Sequence, residues 1–175
     1  MDYISQYLGE MYNFNSYIEE LDYWLERIRK SNNDLKGEIG VASKKFIFQA
    51  IECFICLGVV MERAMAKHLF EERCLTETRR KNISFYALTE LFYQNVKNVD
   101  EQEVKSERIK IDEIRAYRNI GAHGQTTRLA DLLKEEVEQI QADNLLEKKQ
   151  KFLIEKIDTS INFVDQFITK YLQRK

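Results

Sequence analysis

The chain of 175 residues contains no proline, where average usage of ~5% would place roughly nine. It has only six glycines, at positions 9, 37, 40, 58, 121 and 124. This scarcity of breakers argues against all-β sandwiches and barrels, which need Gly/Pro turns every few residues. Collagen-like and Pro-rich linker architectures are excluded for the same reason. Cysteine is limited to Cys53, Cys56 and Cys74. An odd, small number predicts reduced thiols and a cytoplasmic setting rather than a disulfide framework. Long apolar runs are missing too. The most apolar stretch, 46–61, is interrupted by Gln49 and Glu52 and falls short of the ~20 residues a membrane span requires. Met1-Asp2-Tyr3-Ile4-Ser5-Gln6 lacks the basic and apolar regions of a secretory signal. Finally, no strong charge of one sign is present: the net charge is −2, so any nucleic-acid site must be a local patch. A cytoplasmic protein without membrane contact is expected.

What the chain does have is 32% charged and 44% hydrophobic residues, a balance suited to long amphipathic helices around one core. The first helix carries Ile4, Tyr7, Met11, Phe14, Ile18, Leu21, Leu25 and Ile28 at alternating steps of three and four, a heptad stripe flanked by Tyr3, Tyr17 and Trp24. That stripe either packs within the bundle or also pairs with a second subunit. A loop is expected around Ser31-Asn32-Asn33-Asp34 and the Gly37/Gly40 pair. A second helix follows over about 43–70, apolar nearly all round in its middle, as a central buried element would be. Thr76 to Lys81 reads as a polar, basic connector. Ser84 or Asn82 caps a short helix through Phe85, Leu88, Leu91 and Phe92. Asp100-x-x-Glu103 opens a fourth helix ending at Gly121, Thr127 caps a fifth to about 141, and Asn144-x-x-Glu147 opens the last. That last helix turns Leu146, Leu153, Ile157, Ile161, Val164, Ile168 and Tyr171 inward. The predicted fold is all-α: a single domain over 1–175 forming an up-and-down bundle of five to six helices, with a long N-terminal helix over 1–30 and the bundle over 43–175.

Chemistry has little material. Internal repeats, a P-loop and a dinucleotide fingerprint are absent. Cys53-x-x-Cys56 has no second Cys/His pair to complete a zinc site, so buried thiols acting as small hydrophobes are expected, with no metal or cofactor. Only two histidines occur, each five residues after an arginine: Arg63/His68 and Arg118/His123. Within one helix, five steps turn His68 roughly 140° from Arg63, which predicts a structural role for that pair. At the second pair Gly121 ends the helix, so the chain is free to turn His123 back towards Arg118. Val104, Ile111 and Arg118 lie seven apart beside Ile114. Arg118 therefore emerges from an apolar stripe, where a cation must be paired or face a cleft. Asn119 adds an amide, and Gly121, Ala122 and Gly124 leave space around the imidazole. A planar cation, a neutral donor and a near-neutral proton carrier make a cluster suited to a phosphate. Between 105 and 128 there are six cations (Lys105, Arg108, Lys110, Arg115, Arg118, Arg128) against three carboxylates. These form either a solvated helix face or a binding patch, with Lys105, Arg108, Arg115 and Arg128 as candidate RNA-binding residues. Glu52, which interrupts the apolar middle of the second helix, is a candidate partner for Arg118, or else a carboxylate reaching an edge or another basic group.

Ile114 through the string Arg118-Asn119-Ile120-Gly121-Ala122-His123 resembles the Arg-x4-6-His signature of the HEPN superfamily, nearest to its abortive-infection-like branch. The resemblance covers the motif closely and the rest of the chain as helix order and length. It implies a metal-independent endoribonuclease, a toxin or phage-defence effector, with a site shared across a homodimer. By motif position His123 would move the proton at the ribose 2′-OH or the leaving 5′-oxygen. Arg118 would hold the scissile phosphate and Asn119 orient it. Some toxin members carry a tyrosine two residues after the histidine, which a partner antitoxin modifies; this position is Gln125 here, which does not support that regulation by an antitoxin protein. Non-catalytic members also exist, so the alternative is a helical module that binds nucleotide, RNA or a protein partner.

Overall fold

The computed structural model describes residues 17–41, 43–97, 99–122 and 145–172. All regular structure in them is helical: α1 Tyr17–Lys36, α2 Lys44–Glu71, α3 Glu77–Asn82, α4 Phe85–Asn95, α5 Glu101–Ala122 and α6 Leu145–Tyr171. The all-α bundle expected from the breaker count is the observed architecture. The first half of the heptad stripe, residues 4–14, and the helix expected over 127–141 lie outside the described residues. Among the described residues, no helix is long and apolar enough to cross a membrane.

Helix α2 is the hub, packed against α5, α1, α6 and α4. It begins where Ser43 Oγ accepts from Lys45 N at 3.1 Å, and it buries Phe46, Phe54, Leu57, Met61, Met65 and Leu69 at no more than 1% exposure. Burial on this scale is worth about 1.5–3 kcal/mol for each large apolar side chain. At its other end Cys74 N reaches back to Leu69 O (2.8 Å) and Arg73 N to Phe70 O (3.0 Å). This is the double closure that ends many helices on a left-handed residue, and here that residue is Arg73, at φ 58. Helices α4 and α5 are capped as the sequence suggests. Ser84 Oγ accepts from Ala87 N at 3.2 Å, and Asp100 Oδ1 accepts from Gln102 N and Glu103 N at 2.8 and 3.2 Å.

Three expectations are corrected. The first helix does not stop near residue 30: α1 continues to Lys36. Asn32 is fully buried and donates through Nδ2 to Asp158 Oδ1 at 2.7 Å, and Leu35 is buried one turn on. The polar tetrad Ser31–Asp34 is thus one helical turn, with Asn32 facing α6 and Asn33 and Asp34 exposed, and the reversal waits for residues 37–40. The basic connector contains a short helix, α3, because Thr76 Oγ1 accepts from Arg79 N at 3.3 Å. Leu146 is 44% exposed; the inward stripe of α6 starts with Gln150, which holds the α1–α2 reversal through Gly40 N (2.7 Å) and Val41 O (2.9 Å). The heptad stripe from Leu21 to Ile28 is buried within the chain's own core.

One polar knot ties α4, α5 and α6. Glu107 Oε2 accepts from Tyr93 and Tyr171 hydroxyls, both at 2.8 Å, and its Oε1 accepts from Lys170 Nζ at 2.8 Å. Lys170 also reaches Glu103 at 2.7 Å. His68 Nδ1 lies 3.2 Å from Tyr171 O; a carbonyl only accepts, so Nδ1 carries the proton. Burial, reinforced by the neighbouring carboxylate, pushes the Tyr171 phenol up to about 12 and the Tyr93 phenol further. For Lys170, burial works against the charged form, but hydrogen bonds to Glu103 and Glu107 outweigh it and raise its pKa. Every one of these groups holds its proton more tightly when folded. Their stabilisation is therefore complete below the ordinary phenol value of about 10 and is lost as pH rises towards 12. Urea midpoints measured from pH 8 upward are expected to fall steeply between about pH 10 and 12, and less steeply in Tyr171→Phe. An equally steep fall in that variant would show that the knot does not set the alkaline limit.

Candidate functional site

Helix α5 has two faces. Ile111, Ile114 and Ile120 are buried, and Tyr117 stacks on Phe54 of α2 with ring centroids 4.4 Å apart and planes 13° from parallel. On the opposite side Lys105, Ile109, Asp112, Ala116 and Asn119 are exposed, at steps of four and three that make one outward stripe. Arg118 lies on the flank between the faces, one turn before the end of the helix.

Its side chain crosses α2 at a single glycine. A Cβ on Gly58 would stand 2.6, 2.8 and 3.0 Å from Arg118 Cδ, Cγ and Cβ, so only glycine lets the two helices approach with arginine between them. One turn along α2, Glu62 Oε2 accepts from Arg118 Nη2 at 3.0 Å, with the two side chains 14% and 26% exposed. The guanidinium sits over the Phe85 ring of α4, 5.6 Å from its centroid. Backbone notch, carboxylate and aromatic platform come from two different helices and hold one cation on a third. The guanidinium's other donors have no hydrogen-bond partner among the described residues, which leaves an edge to receive an anion.

The other sequence candidates fall into separate groups. Asn119 neighbours Arg118 in the chain but occupies the solvent stripe. Arg108 is paired with Glu90 at 2.5 Å and rests on Tyr93, and Arg115 is paired with Asp112 at 2.9 Å and rests on Tyr86. Lys105 is exposed. His123 and Arg128 lie outside the described residues. Glu52 is not the partner of Arg118: it is six residues before Gly58, roughly 240° around and 9 Å along α2. It lines a groove of about 790 Å³ between α1 and α2 with Trp24, Arg27 and Phe48. Arg63 is held by Glu20, and its carbonyl accepts from the Tyr17 hydroxyl at 2.9 Å, while His68 packs edge-on to Phe92 and Tyr171. Both residues tie helices together. Cys53 and Cys56 line the α1–α2 groove as free thiols. Burial pushes Cys53 up to about 11 and raises Cys56 as well, so both are protonated near neutral pH and poor ligands or nucleophiles.

Gly58, Glu62 and Phe85 are the site residues that sequence reasoning passed over. A signal existed: Gly58 is the one glycine inside the longest helical pattern, where glycine marks close backbone approach, and Glu62 lies one turn further on.

Substitution at the notch has a sign that tests the arrangement. Gly58→Ala would gain up to ~1 kcal/mol of helix propensity, but crowding Arg118 costs about 1–3 kcal/mol, so the urea midpoint is expected to drop. A rise would show that Arg118 does not rest there. Glu62→Gln is expected to cost about 1–2 kcal/mol, and most of that loss should vanish when Arg118 is already Met. Compared with known proteins, the chain matches no family model, no curated protein and no solved structure.

Proposed function

We propose that the protein is a metal-independent endoribonuclease of the HEPN type, with Arg118 as its phosphate-holding residue and His123 as its proton carrier. The observation that carries this reading is the seating of Arg118. A motif arginine used only for surface charge needs no glycine notch, yet this one is fixed by Gly58, Glu62 and Phe85, five residues before the histidine in the sequence. RNA brings its own nucleophile. The ribose 2′-oxygen attacks the adjacent phosphorus, the bond from phosphorus to the 5′-oxygen breaks, and one proton leaves the 2′-hydroxyl while another reaches the 5′-oxygen. Products are a 2′,3′-cyclic phosphate and a 5′-hydroxyl. Proton transfer falls to His123 and charge stabilisation to Arg118, with Asn119 orienting the phosphate.

The same reading makes the protein a homodimer with a shared site, and we place the second copy on the outer stripe of α5. Ile109, 60% exposed, and Ala116 lie on this stripe with the motif residue Asn119. Covering Ile109 with a second copy would remove its side chain from water. Biological setting follows the resemblance: a toxin or phage-defence effector acting in the cytoplasm.

Purified protein is expected to cut mixed single-stranded RNA in EDTA and leave cyclic phosphate ends. His123→Ala should slow cleavage by about 10²–10⁴-fold with an unchanged melting temperature. RNAs left intact by the wild type, or cut equally well by His123→Ala, would instead favour the non-catalytic binding module. For the dimer, light scattering should show two copies in the wild type and one in Ile109→Lys. A wild-type monomer at working concentration sinks the shared site.

A further inference from the structure

Cations on α1, α2, α5 and α6 are largely drawn into ion pairs. One stretch of surface is different. From Arg73 through Lys81 the sequence carries four cations (Arg73, Arg79, Arg80, Lys81) and one carboxylate, in a chain whose net charge is −2. Arg73, Arg79 and Lys81 are exposed and Arg80 half-buried, and among the described residues none of the four has an ion-pair partner. Arg73 adds a second peculiarity. It occupies the left-handed position that closes α2, at φ 58, where glycine is the cheaper residue. A cation stands there against the backbone's preference.

The location matters as much as the charge. Only Asn82, Ile83 and Ser84 separate Lys81 from Phe85, the ring beneath Arg118, so the basic turn ends within roughly 14 Å of that ring along the chain. The next residue, Tyr86, is 55% exposed and holds the Arg115 guanidinium 5.0 Å from its centroid. A run of cations without ion-pair partners among the described residues thus leads onto an exposed aromatic ring that carries Arg115 on one face, one residue after the ring beneath Arg118.

We propose that this surface, from Arg73 and α3 to Tyr86, is the entry track for single-stranded RNA. Its backbone phosphates lie on Arg73, Arg79, Arg80 and Lys81, and one unpaired base stacks on Tyr86. Cations alone would bind any polyanion; the exposed ring selects strands whose bases are free to stack. The choice of RNA over DNA rests on the ribonuclease reading, because sugar discrimination belongs to the 2′-hydroxyl at the cleavage step and not to this track. Arg108 and Arg115, the RNA-binding candidates on α5, each already hold one carboxylate, which lowers their attraction for a distant polyanion, so the first capture of the strand is assigned to this surface.

The test uses the full chain with His123→Ala, so that bound RNA is not consumed. It follows fluorescence anisotropy of a labelled single-stranded RNA, the matching duplex, and vesicles containing phosphatidylserine. Arg79→Gln/Arg80→Gln/Lys81→Gln is expected to weaken single-strand binding at least about tenfold and to flatten its log–log salt slope by about 2. Tyr86→Ala should weaken single-strand binding at least about fivefold while leaving duplex binding unchanged, and Tyr86→Phe should restore it. Arg73→Gly should raise the melting temperature yet lower RNA affinity, a combination that a misfolded variant cannot produce. Single-strand affinity unchanged in the triple variant overturns the proposal. So does a triple variant that loses vesicle binding alone, or a Tyr86→Ala protein that loses duplex and single strand alike. These outcomes are independent of the nuclease reading. RNA binding that follows the track, with cleavage that survives His123→Ala, removes the reading and keeps the track. The reverse pattern removes the track alone.

Discussion

The contact between Arg118 and the bare backbone of Gly58 sets the geometry on which the rest of the molecule depends. A long polar side chain between two core helices normally forces them apart. Here the missing Cβ lets α5 stay close enough for Tyr117 to stack on Phe54 and for Ile114 and Ile120 to reach the core. The same arginine then needs a counter-charge, because a guanidinium only about a quarter exposed loses much of its hydration. Glu62 supplies it from the same face of α2. Phe85 closes the third side, which fixes where α4 begins and so where the basic turn before it can lie. Packing, electrostatics and chain path are thus coupled through one residue.

At the other end of α5 the sign is reversed. Glu107 is an anion held by Tyr93, Tyr171 and Lys170, whereas Arg118 is a cation held by Glu62. Both are half-buried charges locked by partners on neighbouring helices, and both would be costly if left alone. They differ in what remains available. Three donors converge on Glu107, and its neighbour Lys170 is shared with Glu103, so the knot is satisfied and acts as an anchor. Arg118 gives one nitrogen to Glu62, and its other donors have no hydrogen-bond partner among the described residues. A rigid helix anchored at one end and carrying an unsaturated cation at the other is a reasonable scaffold for chemistry that depends on position more than on nucleophile strength.

Much of this was legible in advance, and the failures share a cause. Absent proline and sparse glycine fixed the helical class, and Ser43, Ser84 and Asp100 cap where their side-chain chemistry says they should. Local signals were misread where a tertiary partner overrules them. The Ser-Asn-Asn-Asp run looks like a loop because those residues favour turns in isolation, but Asp158, over a hundred residues away in the chain, turns Asn32 into a buried helical residue. Leu146 looks inward by periodicity, yet it sits in the first turn of α6, before the stripe becomes covered. The site shows the same pattern. An arginine on an apolar stripe demands a partner, which singles out Arg118 in the sequence; Glu52, a charge interrupting an apolar run, is one candidate partner by sequence alone, but helical rotation relative to Gly58 puts Glu62 on the correct face. Two of the candidate cations, Arg108 and Arg115, count as charge in the sequence but are already paired, Arg108 with Glu90 of α4 and Arg115 with Asp112 one turn earlier. A net count along a helix does not distinguish a cation offered to solvent from one closed by a carboxylate.

That distinction bears on how a paired arginine can still serve a phosphate. If Glu62 saturated Arg118, an incoming phosphodiester would have to displace a carboxylate from a partly dehydrated site, and binding would gain little. Guanidinium geometry avoids the exchange: its five donors point outward in one plane along two edges, so a carboxylate on one nitrogen and a phosphate oxygen on the other edge can be held together. Glu62 then orients the plane instead of competing for it, while Phe85 restricts its tilt. The carboxylate also carries a cost, since it lowers the local positive potential that would draw RNA from a distance. On the proposed reading, a site so neutralised needs its attraction supplied from elsewhere, and the cations from Arg73 to Lys81, without ion-pair partners among the described residues, would supply it. Division of labour between a paired cation that positions and unpaired cations that attract explains why a protein of nearly balanced charge can present both.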